Sequence, residues 1–174
     1  MQLVYAPDPR LRIQTKKVKK INPALLATLK EMVKLTKTFK DPEGVGLAST
    51  QVGLNESFFV AKEKEKFLSF INPKILSSGK RTKTYFEGCL SIPTIWGQVK
   101  RYINIKVSHQ DESGKVINKS LKGVLAWIFQ HEVDHLNGKL FTERVLEQKG
   151  RFFKYMGKDK HGQDMFEEIN LPHL

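Results

Sequence analysis

Apolar positions along the chain fall into two rhythms. In INPALLATLKEMVKLTKTFKDPEG (21–44), Leu25, Leu29, Met32 and Val33 recur three or four residues apart, as on one face of an α-helix. Asn22 suits the N-cap and Pro23 the first helical position, and DPEG stops the run. A second helix is predicted over GVLAWIFQHEVDHLNG (123–138), ended by Asn137 and Gly138. Elsewhere the pattern shortens to strand-like runs: SFFVA, KFLSFINPKIL, VKRYINIKVSHQ and GKVINKSL, the last two joined by the turn DESG. Strands enclosing one apolar helix predict a single α+β domain, with antiparallel strands around a central helix. From Gly150 onward, RFFKYMGKDKHGQDMFEEINL sets a glycine-containing turn between aromatic runs. It reads as a hairpin or irregular extension and not as a helix. The main domain is therefore expected over residues 1–149, with 150–174 as a C-terminal extension.

Composition narrows the setting. A chain of 174 residues, 40% of them apolar, is long enough for one domain with its own core. No run approaches the roughly 18 to 20 apolar residues that a membrane helix needs. MQLVYAPDPRLRIQTKK carries Pro and charges where a signal peptide needs its apolar stretch, so a cytoplasmic protein is expected. An organelle form whose transit peptide has been removed would read the same. Cys89 is the sole cysteine, which excludes an intramolecular disulfide. The formal charge of +12 raises the question of an RNA or ribosome partner. The basic residues are scattered, with modest clusters at KKVKK and KEKEK and no nucleic-acid motif. A solvated basic surface is the expectation, compatible with weak ribosome association and with no DNA or membrane partner.

Candidate chemistry sits in WIFQHEVDHLNGKLF (127–141). His131 and His135 are four residues apart, so a helix stacks them on one face, with Glu132 beside the first. Two imidazoles placed so can grip one metal ion, and the carboxylate can activate a water. LAWIF before the pair argues that the histidines are buried, and buried histidines need partners. One group of zinc proteases adds a histidine six residues on; Gly138 fits that pattern, but Phe141 stands at the ligand position. Another group takes a later glutamate, for which Glu143, Glu147, Glu167 and Glu168 are available. A zinc endopeptidase and a non-catalytic basic binder are thus the competing readings.

Two further stretches bear on the choice, GVGLASTQ (44–51) and FEGCLSIP (86–93). Together with QHEVDH (130–135), and in this order, they resemble the three signature motifs of the peptide deformylase family. DPRLR and INP extend the resemblance over most of residues 1 to about 146. It implies a catalytic domain that removes the formyl group from N-formylmethionyl peptides. It also implies Fe(II) as the native ion, with Zn(II), Ni(II) or Co(II) able to take its place. Cys89, His131 and His135 would then be the ligands and Glu132 the base. The resemblance assigns oxyanion stabilisation to the Gln51 amide and the Leu90 N–H. Gly44, Gly46 and Gly88 would leave room for a peptide to approach the backbone. Glu87 is expected to pair with Arg101 and hold the Cys89 loop. Val124, Trp127 and Ile128, one or two turns before His131, would wall a methionine pocket closed by Val45 and Tyr85. The chain departs from the family at Ser49, where alanine is usual, and at KKVKK. Its tail does not match the long basic helix of some members.

Overall fold

The computed structural model describes residues 1–40 and 43–170. Helix α1, Pro23–Thr38, starts where the Asn22 side chain accepts the Leu25 amide at 2.9 Å. That bond satisfies one of the amides a helix N-terminus leaves unpaired. The helix ends at Phe39, ahead of DPEG; Asp41 and Pro42 of that expected stop lie outside the described residues. Seven strands follow: β1 (Gly46–Ala48), β2 (Phe58–Glu63), β3 (Lys66–Ser78), β4 (Thr82–Cys89), β5 (Ile92–Tyr102), β6 (Asn104–Gln110) and β7 (Val116–Lys122). Helices α2 (Gly123–Leu136) and α3 (Phe141–Glu147) come next, then strands β8 (Phe152–Lys158) and β9 (Asp164–Ile169).

The strands form two antiparallel sheets, β1-β2-β3-β6-β7 and β4-β5-β8-β9. Residues 57–61 read as a nearly unbroken apolar run because β2 is buried on both faces. Phe58 and Val60 pack with Leu25, Leu29 and Met32 of α1, while Phe59 and Ala61 pack with Phe129 and Ile128 of α2. The Phe59 and Phe70 rings stack at 4.8 Å, and Phe129 meets both edge-on at 5.1 and 5.2 Å. Each such ring contributes on the order of 1.5–3 kcal/mol through burial. The opposite side of α2 faces β4 and β5, where Gln130 bonds the backbone of Tyr102 in both directions. α2 is thus the central helix of an α+β domain, held between two sheets.

VKRYINIKVSHQ (99–110), expected as one strand, is two. β5 pairs with β4 as far as Tyr102, and β6 pairs with β7 from Asn104. Between them, the Ile103 amide donates to Arg81 and its carbonyl accepts from Gly123, so the chain changes sheet there. β4 and α3 are further elements that the apolar rhythm does not announce. Residues 152–169 form a hairpin, attached to β5 through β8 and anchored by Phe152 among Val99, Phe141 and Val145.

Candidate metal centre and active site

Cys89 ends β4, while His131 and His135 project from successive turns of α2. Their ligand atoms lie within 4.8 Å of one another, the one such group among the described residues. Cys89 Sγ stands 3.3 Å from His135 Nε2. Bonds of about 2.0–2.3 Å to a tetrahedral ion would place neighbouring sulfur and nitrogen donors about 3.5 Å apart, so the spacing fits a divalent metal. His131 Nδ1 lies 3.0 Å from Glu87 Oε2, which leaves Nε2 as its free donor. Burial would raise the Cys89 thiol, but the charge of His135 and hydrogen bonds with both histidines outweigh it and bring the pKa to about 5. At neutral pH the sulfur is therefore in its thiolate, ligand form.

Glu132, on α2 beside His131, is buried, and its Oε2 has no hydrogen-bond partner among the described residues. Burial, only partly offset by His131 and His135, raises its pKa to about 7. Such an unpaired carboxylate is suited to exchanging protons with a third party. Gly46 makes room for it, since a Cβ there would come within 2.3 Å of Glu132 Oε1.

Gln51 lies in the short helical turn Ser49–Val52 that follows β1. Its Oε1 accepts the Ala48 amide at 2.8 Å, which aims Nε2 at Cys89 Sγ (3.4 Å) and Ser91 Oγ (3.1 Å). Leu90 occupies the tight turn between β4 and β5. Behind the centre, Arg101 donates two hydrogen bonds to Glu87, at 2.8 and 2.9 Å. The Trp127 indole donates a third at 2.8 Å. Against its own burial, the hydrogen bonds and charges of Arg101 and His131 hold Glu87 down at about 2. Arg101 also reaches Asp134 at 2.5 Å, and Arg144 of α3 grips the same carboxylate through Nε and Nη2.

A cavity of about 210 Å³ opens onto this centre. Val45, Gly46, Gln51, Gly88, Leu90, Trp127 and Ile128 line it beside the Cys89, His131 and Glu132 side chains. Three residues expected at the peptide site are not among those lining this cavity. Val124, in the first turn of α2, is 60% exposed. Tyr85 stacks flat on Trp127 at 4.9 Å and supports it from outside the cavity. Gly44 serves the end of α1, because a Cβ there would meet the Thr36 carbonyl at 2.3 Å. Sequence reasoning missed Asp134, Arg144, Ser91, Glu43 and Trp96, the last two also lining the cavity. Asp134 left a trace, a second acidic residue, after Glu132, between the two histidines.

A thiolate, two imidazoles and an unpaired carboxylate on the central helix of an α+β domain define a metal-dependent hydrolase. Comparison with known proteins specifies which. The profile of the polypeptide deformylase family matches residues 1–151, and the chain belongs to that family. It is 39% identical over 142 residues to the peptide deformylase of Thermotoga neapolitana, covering 82% of this chain and 85% of that one. The crystal structure of the Thermotoga maritima peptide deformylase superposes with a TM-score of 0.77 at 38% identity, over 82% of this chain and 95% of that one. The class I type b peptide deformylase of Acinetobacter baumannii, crystallised with Met-Ala-Ser bound, gives 0.76 at 29% identity over 83% and 98%.

Proposed function

We propose that this chain hydrolyses the formyl amide of N-formylmethionyl peptides by a division of labour among the residues around Cys89. Removal of the N-formyl group from nascent peptides is the activity of its family. Cys89 Sγ and the Nε2 atoms of His131 and His135 would hold one divalent ion, Fe(II) in the native enzyme. A thiolate with two imidazoles also accepts Zn(II), Ni(II) or Co(II). Bound there, the ion supplies Lewis acidity, making a water easier to deprotonate and the formyl carbonyl easier to attack.

The remaining chemistry is carried by the chain. Glu132 takes a proton from the attacking water and returns it to the peptide nitrogen as the C–N bond breaks. Formate and a free N-terminal amine result. The Gln51 amide and the Leu90 N–H stabilise the negative charge that develops on the formyl oxygen. Glu87 orients His131, and Arg101 and Trp127 hold Glu87. Val45, Trp127 and Ile128 offer an apolar wall for the methionine side chain. The observation that carries this reading is a thiolate and two imidazoles converging beside an unpaired, buried glutamate.

The setting is the cytoplasm, where the basic surface would give weak, salt-sensitive association with the ribosome. No helix among the described residues is long and apolar enough to cross a membrane. The test is formate release from formyl-Met-Ala, beside cleavage of an unfolded protein. Formate without proteolysis is expected, and proteolysis without formate would overturn the reading. Metal analysis on enzyme purified without oxygen identifies the ion. Iron-loaded activity should decay in air, because thiolate and Fe(II) are both oxidisable, and nickel should slow that decay.

A further inference from the structure

The cavity wall includes an aromatic residue, Trp96, that the division of labour above does not use. Trp96 lies on β5 opposite Gly88 of β4, one residue before the ligand cysteine. A Cβ on Gly88 would fall 2.9–3.0 Å from three indole carbons, so the ring lies close over the bare glycine and borders the cavity there. In antiparallel register, Phe86, Gly88 and Trp96 share the sheet face that points away from Glu87. Phe153 pairs with Trp96 across β5 and β8, and Tyr155 pairs with Phe166 across β8 and β9, which puts all three on that same face.

The rings form one cluster. Phe86 stacks on Trp96 at 5.3 Å, and Phe166 closes edge-on against both, at 4.8 Å from Phe86 and 5.5 Å from Trp96. Phe153 meets Phe86 at 5.2 Å, and Tyr155 backs Phe166 at 5.5 Å. All five rings are only half-buried. The sheet therefore presents solvent with an aromatic surface continuous with the cavity, and three of its five rings come from residues 152–169. The opposite face of the same hairpin is already anchored by Phe152, so the outer rings are not needed to fasten it.

We propose that the C-terminal hairpin belongs to the substrate-binding wall. Through Phe166 and Phe153 it holds Trp96 flat over Gly88, and Trp96 receives the side chain that follows methionine, favouring aromatic or large apolar residues there. The proposal rests on the deformylase reading above. The occupant is set by continuity: a peptide whose formyl group is at Cys89 and whose methionine is against Trp127 and Ile128 continues along the remaining wall. A half-buried, stacked ring pair is the geometry that a further aromatic side chain extends most readily. Trp96 is the residue that touches substrate, and Phe166 acts through it as a positioning residue.

The test compares formyl-Met-Phe amide with formyl-Met-Gly amide in the metal-loaded enzyme. The parent should prefer the Phe peptide in kcat/KM by about threefold to tenfold, the range expected of one aromatic contact. The preference should lie in KM. Trp96→Ala should abolish it, while Trp96→Phe should keep part of it. Phe166→Ala should bring the ratio towards one by raising KM for formyl-Met-Phe amide. Phe166→Leu preserves apolar bulk should the alanine variant fold poorly, and should show the same loss of preference. In the double variant, Phe166→Ala should add nothing to Trp96→Ala. A hairpin that serves stability alone would shift the melting temperature and leave the ratio untouched, which would overturn the proposal. Equal loss on both peptides would overturn it too. No formate from either peptide with the parent would overturn the hydrolase reading itself, and this inference with it.

Discussion

Cys89 and Glu132 lie within the same few ångströms, yet the structure gives them different partners. Cys89 Sγ faces His135, whereas Glu132 Oε2 faces no donor among the described residues. The roles proposed for them, ligand and base, separate under mutation. Cys89→Ala should leave less than one metal per chain, measured by elemental analysis. Glu132→Ala should keep full metal and lose about a hundred- to ten-thousand-fold in kcat. Metal lost with the Glu132 carboxylate would make that residue a ligand and the proton assignment wrong. Arg101 poses a question of stability at the same scale. It is 5% exposed and bridges two carboxylates, Glu87 and Asp134. Arg101→Ala should destabilise by roughly 3–5 kcal/mol, because two buried negative charges lose their shared partner. Chemical denaturation measures this; a loss below about 1 kcal/mol would show that the remaining donors suffice.

Among the elements, β6 carries a titratable group that the chemistry leaves alone. His109 packs on the Phe70 ring at 4.7 Å, its Nδ1 lies 3.1 Å from the Gln110 carbonyl, and its Nε2 has no partner among the described residues. Burial pushes its pKa below the ordinary 6.5, with Lys119 adding to the effect. The unfolded chain therefore takes up this proton at higher pH than the folded one does. Stability present above about pH 6.5 should be lost as pH falls through the lower folded-state value. Urea midpoints at pH 7 and pH 5 should differ more in the parent than in His109→Gln. Equal differences would mean that β6 accommodates the charge. The metal centre titrates in both proteins and cancels in the comparison.

Over the whole molecule, the two sheets and α2 leave a cavity beside Cys89, His131 and Glu132, to which the proposed function assigns substrate choice. Methionine is unbranched and apolar, so a wall of Val45, Trp127 and Ile128 can accept it without strain. Formyl-Asp would carry a charge into the same space at a cost of several kcal/mol. Across a formyl-X-Ala series, kcat/KM for X = Met should exceed that for X = Asp by a hundredfold or more. Equal values would remove the pocket from the account.

Much of the site was legible in the sequence because its signals are local. The Asn22 cap, the apolar stripe of α1 and the four-residue spacing of His131 and His135 depend only on neighbours along one helix. Cys89 between Gly88 and a turn, and Gln51 closing GVGLASTQ, were legible as motifs, though no spacing along the chain could bring them to α2. The tertiary structure decided what covers each face. It divided residues 99–110 between two sheets at Ile103, because strand pairing is chosen by partners distant in sequence. It turned Tyr85 from the cavity to support Trp127 and left Val124 in solvent. It assembled Asp134, Arg101 and Arg144 from a helix, a strand and a second helix. Local periodicity records that a side chain is buried, and the covering partner is settled only when the sheets close on α2. The same reason explains why the tail could be read as a hairpin or an irregular extension, while its contact with Trp96 could not be read at all.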